Sequence, residues 1–250
     1  MKFEKIYLLF ALLVVLGVLY IVNIFSIADI ASSVVDKPVK LSFTVINPSK
    51  EQCEDCFDVE TLIGIIKSSH NIKITNKKIV TPSDSGYSKL VKRYDVKNLP
   101  AIVVSGDTSN SKITGAWESL SGEDKKGDVL IQNLLPFYDI KEQKQKGFID
   151  VVLLEDKTCS DCFEATQYLE TLKRSAMTVK NYSVYDISSA EGRVYVDKYK
   201  IKKVPALLMS ASADDYPGFR DAWKDVGTIE SDGWFVFRKV EKTGGKFSEI

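Results

Sequence analysis

The chain says nearly the same thing twice, and that repetition limits its folding more than any other feature. Cys53-Glu54-Asp55-Cys56-Phe57 returns as Cys159-Ser160-Asp161-Cys162-Phe163, an offset of 106 (159 − 53). Tyr94-x-Val96-x-x-Leu99-Pro100-Ala101 returns as Tyr199-x-Ile201-x-x-Val204-Pro205-Ala206, an offset of 105 (205 − 100). A fixed long period implies two units of one fold. Each unit then carries one cysteine pair at a matching place, and these pairs use all 4 cysteines of the chain.

The 250 residues leave room for two such units after an N-terminal segment of about 30 residues, each near the usual domain size and able to bury its own core. The expected division is a segment over 1–30, one unit over 31–140 and a second over 141–250. Lys+Arg and Asp+Glu balance at 34 each, so the basic footprint of a nucleic-acid binder is absent. The charge runs Glu123 to Lys126 and Lys141 to Lys146 lie between apolar segments and read as solvated linker.

From Ile6 to Ile27 no residue is charged, and Asn23 and Ser26 are the only strongly polar side chains. As a helix this run spans roughly 33 Å, which matches a hydrocarbon core of about 30 Å. The apolar core of a secretory signal is usually only about 7–15 residues. The run therefore reads as an uncleaved signal anchor, a single transmembrane helix. Lys2, Lys5 and the amino terminus precede it, and Asp29 and Asp36 follow. This asymmetry puts the N-terminus in the cytoplasm and the rest of the chain outside, in a compartment that permits disulfides.

Hydrophobic periodicity outlines each unit as α/β. In the first, strands are expected over Val39 to Ile46, Ile72 to Val80, Ala101 to Val104 and Lys112 to Trp117. Helices are expected over Asp55 to Ser69, Tyr87 to Tyr94 and Asp128 to Leu135, the last closing the unit. In the second, strands are expected over Phe148 to Leu154, Val179 to Ile187 and Ala206 to Met209. Helices are expected from the cysteine pair to about Ser175 and over Ala190 to Tyr199. Residues 211–225 read as an insertion with a short helix near Phe219 to Trp223. Thr228 to Val240 reads as a hairpin turning at Ser231-Asp232-Gly233, and Lys242 to Ile250 as a tail.

Strand, CxxC, helix, strand, helix, then a proline entering a strand: with these elements both units resemble the thioredoxin-like family. CxxC beside a βαβ pattern is that family's redox signature. The tandem arrangement is similar to two-thioredoxin-fold protein disulfide oxidoreductases. The resemblance implies a central mixed sheet flanked by helices in each unit, with redox-active disulfides and no other cofactor. It implies cis peptide bonds at Pro100 and Pro205, each proline lying against its cysteine pair. It further implies client proteins with thiols or disulfides as partners, together with an electron donor or acceptor.

Physical chemistry assigns roles beside this resemblance. A cysteine at a helix N-terminus meets unpaired N–H groups and the positive end of the dipole, which favour the thiolate. Cys53 and Cys159 are thus the expected exposed nucleophiles, and Cys56 and Cys162 the buried resolving thiols. Exchange would run through a mixed disulfide. Proline has no N–H, so the backbone of the preceding Leu99 and Val204 is expected to be free to pair with a client strand. This sequence also departs from thioredoxin. Gln52 and Thr158 stand where thioredoxin has tryptophan, and the acidic Glu54-Asp55 and Ser160-Asp161 between the cysteines oppose a strongly stabilised thiolate.

Other readings of the pairs remain open. A purely structural disulfide gains little from so short a loop, about 2 kcal/mol against about 4.7 for a loop of 100 residues. Client binding with inert disulfides is the main alternative, and a shared zinc or copper a further one, although the single histidine, His70, follows a helix and reads as a cap. Asn181-Tyr182-Ser183 is a formal glycosylation sequon. The expected function is a membrane-anchored, extracytoplasmic thiol–disulfide oxidoreductase. Its site residues are Cys53, Cys56, Cys159 and Cys162 for exchange and Leu99, Pro100, Val204 and Pro205 for substrate, with no metal.

Overall fold

The alternation Val39, Leu41, Phe43, Val45 becomes an inner strand of a five-stranded sheet in the computed structural model, which describes residues 37–250. The architecture is mixed α/β, with sheets flanked by helices. The first half runs β1 (Val39–Ile46), α1 (Val59–Ser69), β2 (Ile72–Val80), α2 (Tyr87–Tyr94), β3 (Asn98–Leu99), β4 (Ala101–Gly106), α3 (Thr114–Ser119), β5 (Glu123–Lys125) and β6 (Asp128–Ile131). Two short strands, β7 (Phe137–Asp139) and β8 (Lys144–Lys146), follow. The second half runs β9 (Phe148–Glu155), α4 (Gln167–Arg174), β10 (Thr178–Asp186), α5 (Ala190–Tyr199), β11 (Lys203–Val204), β12 (Ala206–Met209), α6 (Phe219–Trp223), β13 (Gly227–Ile229), β14 (Phe235–Phe237) and β15 (Ser248–Glu249).

The two main sheets have the same order, β2-β1-β4-β6-β5 and β10-β9-β12-β14-β13. In each, the first two strands are parallel, as a helical crossover requires, and the remaining pairs are antiparallel. Period-2 alternation sends Ile102 and Val104 of β4 to one face, against Val59, Leu62, Ile66 and Trp117. Ala101 and Val103 point to the other face, against Tyr94 and Leu99. The second half divides in the same way. Leu207 and Met209 pack with Tyr168, Leu172 and Trp223, while Ala206 and Leu208 pack with Tyr199 and Val204. Burial on both faces explains why these strands read as unbroken apolar runs.

Local chemistry sets the boundaries. Asp58 caps α1 by accepting from the Glu60 N–H (3.0 Å), and the His70 N–H closes its far end on the Ile66 carbonyl (3.1 Å). Asp95 and Lys200 end α2 and α5 in the left-handed conformation. Tyr94 and Tyr199 donate to Asp128 (2.7 Å) and Asp232 (2.9 Å), so the repeat reaches into side-chain bonding.

Several expectations need correction. Lys112 to Trp117 is not a strand; Thr114 to Trp117 lie in α3, and Trp117 and the preceding Ile113 are buried in the core over the sheet. Asp128 to Leu135 is not a closing helix but β6, paired with β5 around Lys126 and Gly127, which both have positive φ. That turn conformation sets up a tight hairpin. The charge runs are therefore not linker: Glu123 to Lys125 is an edge strand, where charge is at home, and Lys144 to Lys146 is β8. Residues 211–225 are not an insertion, because α6 has a counterpart in α3 between equivalent strands, with Trp117 and Trp223 106 positions apart (223 − 117). The hairpin at Ser231-Asp232-Gly233 forms as β13 and β14. Among the described residues no helix is long and apolar enough to cross a membrane, and the expected span Ile6 to Ile27 lies outside them.

Candidate functional site

Each CxxC follows the first strand of its half, β1 or β9, and closes on itself as a disulfide, Cys53–Cys56 and Cys159–Cys162, with Cα atoms 5.5 Å apart in both. Neither pair opens a helix. The first helical residue after Cys56 is Val59, and after Cys162 it is Gln167. The expected dipole stabilisation of a thiolate therefore loses its geometric basis, since that effect fades within the first turn. The expected exposure pattern also fails. Cys53 is buried, 5% exposed, whereas Cys56, Cys159 and Cys162 are half-buried.

A turn fixes the first pair. The N–H groups of Gln52 and Cys53 donate to the Ser49 carbonyl (3.1 and 3.0 Å), and the Ser49 N–H donates to the Gln52 side chain (2.9 Å). Gln52 thus closes the loop that holds the buried Cys53. Cys53, Cys56, Phe57 and Pro100 line one shallow depression of about 380 Å³, with Asp58 and Ile79 at its sides. The Leu99–Pro100 and Val204–Pro205 peptide bonds are cis, as the resemblance implied, and so is Leu135–Pro136, which was not expected.

The second pair lies among ionic groups. Cys159 N–H donates to the Asp156 carbonyl (3.0 Å). Asp161 Oδ1 is 4.0 Å from Cys159 Sγ, and Lys246 pairs with the same carboxylate. That pairing holds Asp161 below the usual carboxylate range. A carboxylate this close opposes thiolate formation, and the lysine offsets it. Asp156 is also held low, first by the Thr158 hydroxyl, then by Ser248 and the Thr158 N–H, against desolvation and the charge of Asp186. In the same half, the Tyr168 hydroxyl donates to the Pro205 carbonyl (3.2 Å), and burial pushes its ionisation well above the ordinary tyrosine range. Phe163 and Tyr168 also wall an apolar cavity of about 840 Å³ with Phe219, Trp223 and Phe237.

The backbone edges expected to be free for a client are already filled. Leu99 pairs with Tyr138 of β7, and Val204 with Ser248 of β15. The same three links recur in both halves. Phe57 N–H donates to the Pro136 carbonyl and Phe163 N–H to the Lys246 carbonyl, both at 2.8 Å. Ile140 N–H donates to the Lys97 carbonyl and Ile250 N–H to the Lys202 carbonyl, both at 2.9 Å. A strap, 136–140 in one half and 246–250 in the other, thus runs from the residue after the second cysteine to the strand before the cis proline. Sequence reasoning missed both straps and treated the second as a tail. A faint signal exists: Phe137-x-Asp139-Ile140 returns as Phe247-x-Glu249-Ile250, an offset of 110 (250 − 140).

Among the described residues no group of three or more His, Cys, Asp or Glu could hold a metal ion. A zinc shared by both pairs would need four thiolates together, and here each pair closes on itself. No family model matches the chain, and no curated protein matches it. The site is thus defined by its own geometry: two CxxC disulfides in equivalent α/β halves, compatible with redox chemistry.

Proposed function

We propose that the chain is a membrane-anchored, extracytoplasmic thiol–disulfide oxidoreductase built from two thioredoxin-like domains. The observation that carries this reading is the repeated unit of CxxC disulfide and proline-led strand, which in the first half share one depression. The matching sheet orders support the fold assignment. The apolar run Ile6 to Ile27 supports the anchor. In the oxidising direction, a client thiolate attacks one sulfur of a pair and the Sγ–Sγ bond breaks. The released protein thiolate takes up a proton. A second client thiolate then attacks the mixed disulfide, leaving a client disulfide and a protein dithiol. Two electrons and two protons pass to the protein, and a separate electron acceptor must reoxidise it. The reverse sequence reduces a client. No bound cofactor takes part in either direction.

Alkylation of the full chain after equilibration in glutathione buffers tests this. Opening and closing of either pair within minutes is the expected result. Two pairs that stay closed while the folded chain still binds clients would favour the second reading, a client-binding module with inert disulfides. One observation favours that reading: Cys53 is 5% exposed and both client edges are filled.

A further inference from the structure

We propose that Lys246 to Ile250 is a built-in stand-in for a client strand, with Ser248 seated where a client's cysteine would meet Cys162. This rests on the oxidoreductase reading for its meaning but not for its geometry. Ser248 Oγ is 3.8 Å from Cys162 Sγ, and Ser248 pairs with Val204 in antiparallel register. Serine differs from cysteine by one atom, so the strap presents the shape of a cysteine at the disulfide.

The two straps are held very differently. The first has strands on both sides, β3 and β8, and Tyr138 and Ile140 pack against the core. The second pairs with β11 alone, and none of its residues is buried; Ile250 is 47% exposed. It follows Gly244 and Gly245; Gly244 has a positive φ of 76°, which favours glycine, and Gly245 lies so close to Phe163 that a Cβ there would come within 2.6 Å of it. Its two ion pairs are solvent-facing, Lys246 with Asp161 and Glu249 with Lys203 (4.0 Å), and Ser248 donates a half-buried bond to Asp156 (2.9 Å). Exposed links of this kind hold weakly and are screened by salt.

An arriving segment can replace the backbone pairing and both ion pairs, and exchanges the Ser248 bond to Asp156 for a thiol at the disulfide. The fitting client is an extended chain with a basic residue facing Asp161, an aromatic residue like Phe247 near Lys203 (ring centroid 4.8 Å from Nζ), then the cysteine, then an acid facing Lys203. Backbone pairing supplies affinity, and the alternate side chains supply selection.

The first test is Ser248→Cys in the full chain. The introduced thiolate would attack Cys162 Sγ, breaking Cys159–Cys162 and forming a new disulfide between Cys162 and the introduced cysteine. The Cys159 thiolate is released and then takes a proton. Mass mapping after acid quench and alkylation should find the label on Cys159. A label on the introduced cysteine with Cys159–Cys162 intact would overturn the proposal, as would a bond between Cys159 and the introduced cysteine. The second test deletes 246–250 and supplies the reduced peptide Lys-Phe-Cys-Glu-Ile. A tethered strap acts like a ligand at roughly millimolar concentration. Opening of Cys159–Cys162 by the peptide should therefore rise about 10-fold or more over the intact chain, with Cys53–Cys56 unchanged. Equal rates in both chains would overturn the proposal. Ile250→Pro, which removes the N–H to Lys202 and leaves the rest of the strap's sequence in place, should give an intermediate rate and guards against misfolding of the deletion. Dithiothreitol, too small to need the strap's place, reads the oxidoreductase function separately. Pairs inert to dithiothreitol, with Cys162 still captured in the Ser248→Cys chain, would keep the strap and discard the enzyme.

Discussion

Replacing Tyr168 by Phe isolates one hydrogen bond, the one to the carbonyl of the cis proline Pro205. Tyr168 is 5% exposed, its ring stands edge-on to Phe163 (5.2 Å) and Phe237 (5.6 Å), and its hydroxyl donates to the Pro205 carbonyl. Phenylalanine keeps the ring contacts and deletes only the donor. The loss should be that of one net hydrogen bond, about 1 kcal/mol. Tyr168→Ala would also empty the ring's place and should cost about 3–5 kcal/mol. Native-state hydrogen exchange of the full chain resolves the two halves. Amides of β9 and β12 should exchange about fivefold faster in Tyr168→Phe, the factor that 1 kcal/mol represents. Amides of β1 and β4 should not change, because the first half has Leu62 at the equivalent position, 106 residues earlier. Unchanged β12 amides, or equal acceleration in both halves, would refute the view that Tyr168 anchors the proline strand.

Further outcomes follow from the same geometry. Asp58→Ala removes the α1 cap and should lower the urea stability of the first half by about 1 kcal/mol, leaving β9 and β12 amides untouched. Phe43→Ala empties a fully buried position of the first core and should cost about 3–5 kcal/mol by the same measurement. Asp156 and Asp161 are both held below their ordinary values by groups that include strap residues. Depressed folded values mean that their hold on the strap is present above pH about 4 and is lost as pH falls further. The Ile250 amide should therefore keep its protection from pH 7 to 5 and lose it below about 4, and Asp161→Asn should weaken it already at pH 7.

Much of this fold was legible in the sequence because long runs carry strong periodicity. β1, β2, β9 and β10 each extend over 8 or 9 residues, and their alternation or apolar density marked them. α2 and α5 end at Tyr94 and Tyr199, the residues at which the second repeated motif begins. The errors fell on short runs. Val129, Leu130 and Ile131 face both sides of a sheet, and an apolar run this short does not distinguish a buried strand from a buried helix. Gly127 beside Lys126 was the turn signal that could have decided it. Ile113 and Trp117, four apart, were the helical signal hidden in the misread strand.

The cysteine pairs and prolines were legible by repetition, and the straps were not. A strap pairs through two residues, Asn98–Leu99 or Lys203–Val204, too few to show a period. Its own four-residue repeat lies at an offset of 110, out of step with the 105 and 106 of the motifs. The burial of Cys53 was hidden for a different reason, since it depends on a turn closed by the Gln52 side chain.

The central claim, that these pairs exchange, is tested most directly by redox equilibration of the full chain. The chain is held in graded glutathione and dithiothreitol buffers, quenched in acid and alkylated, and each pair is counted by mass spectrometry. The account expects each pair to open rapidly, with a potential between about −120 and −270 mV, the range of thiol oxidoreductases. Two pairs that react slowly and remain closed to below about −300 mV would contradict it, since such potentials belong to structural disulfides.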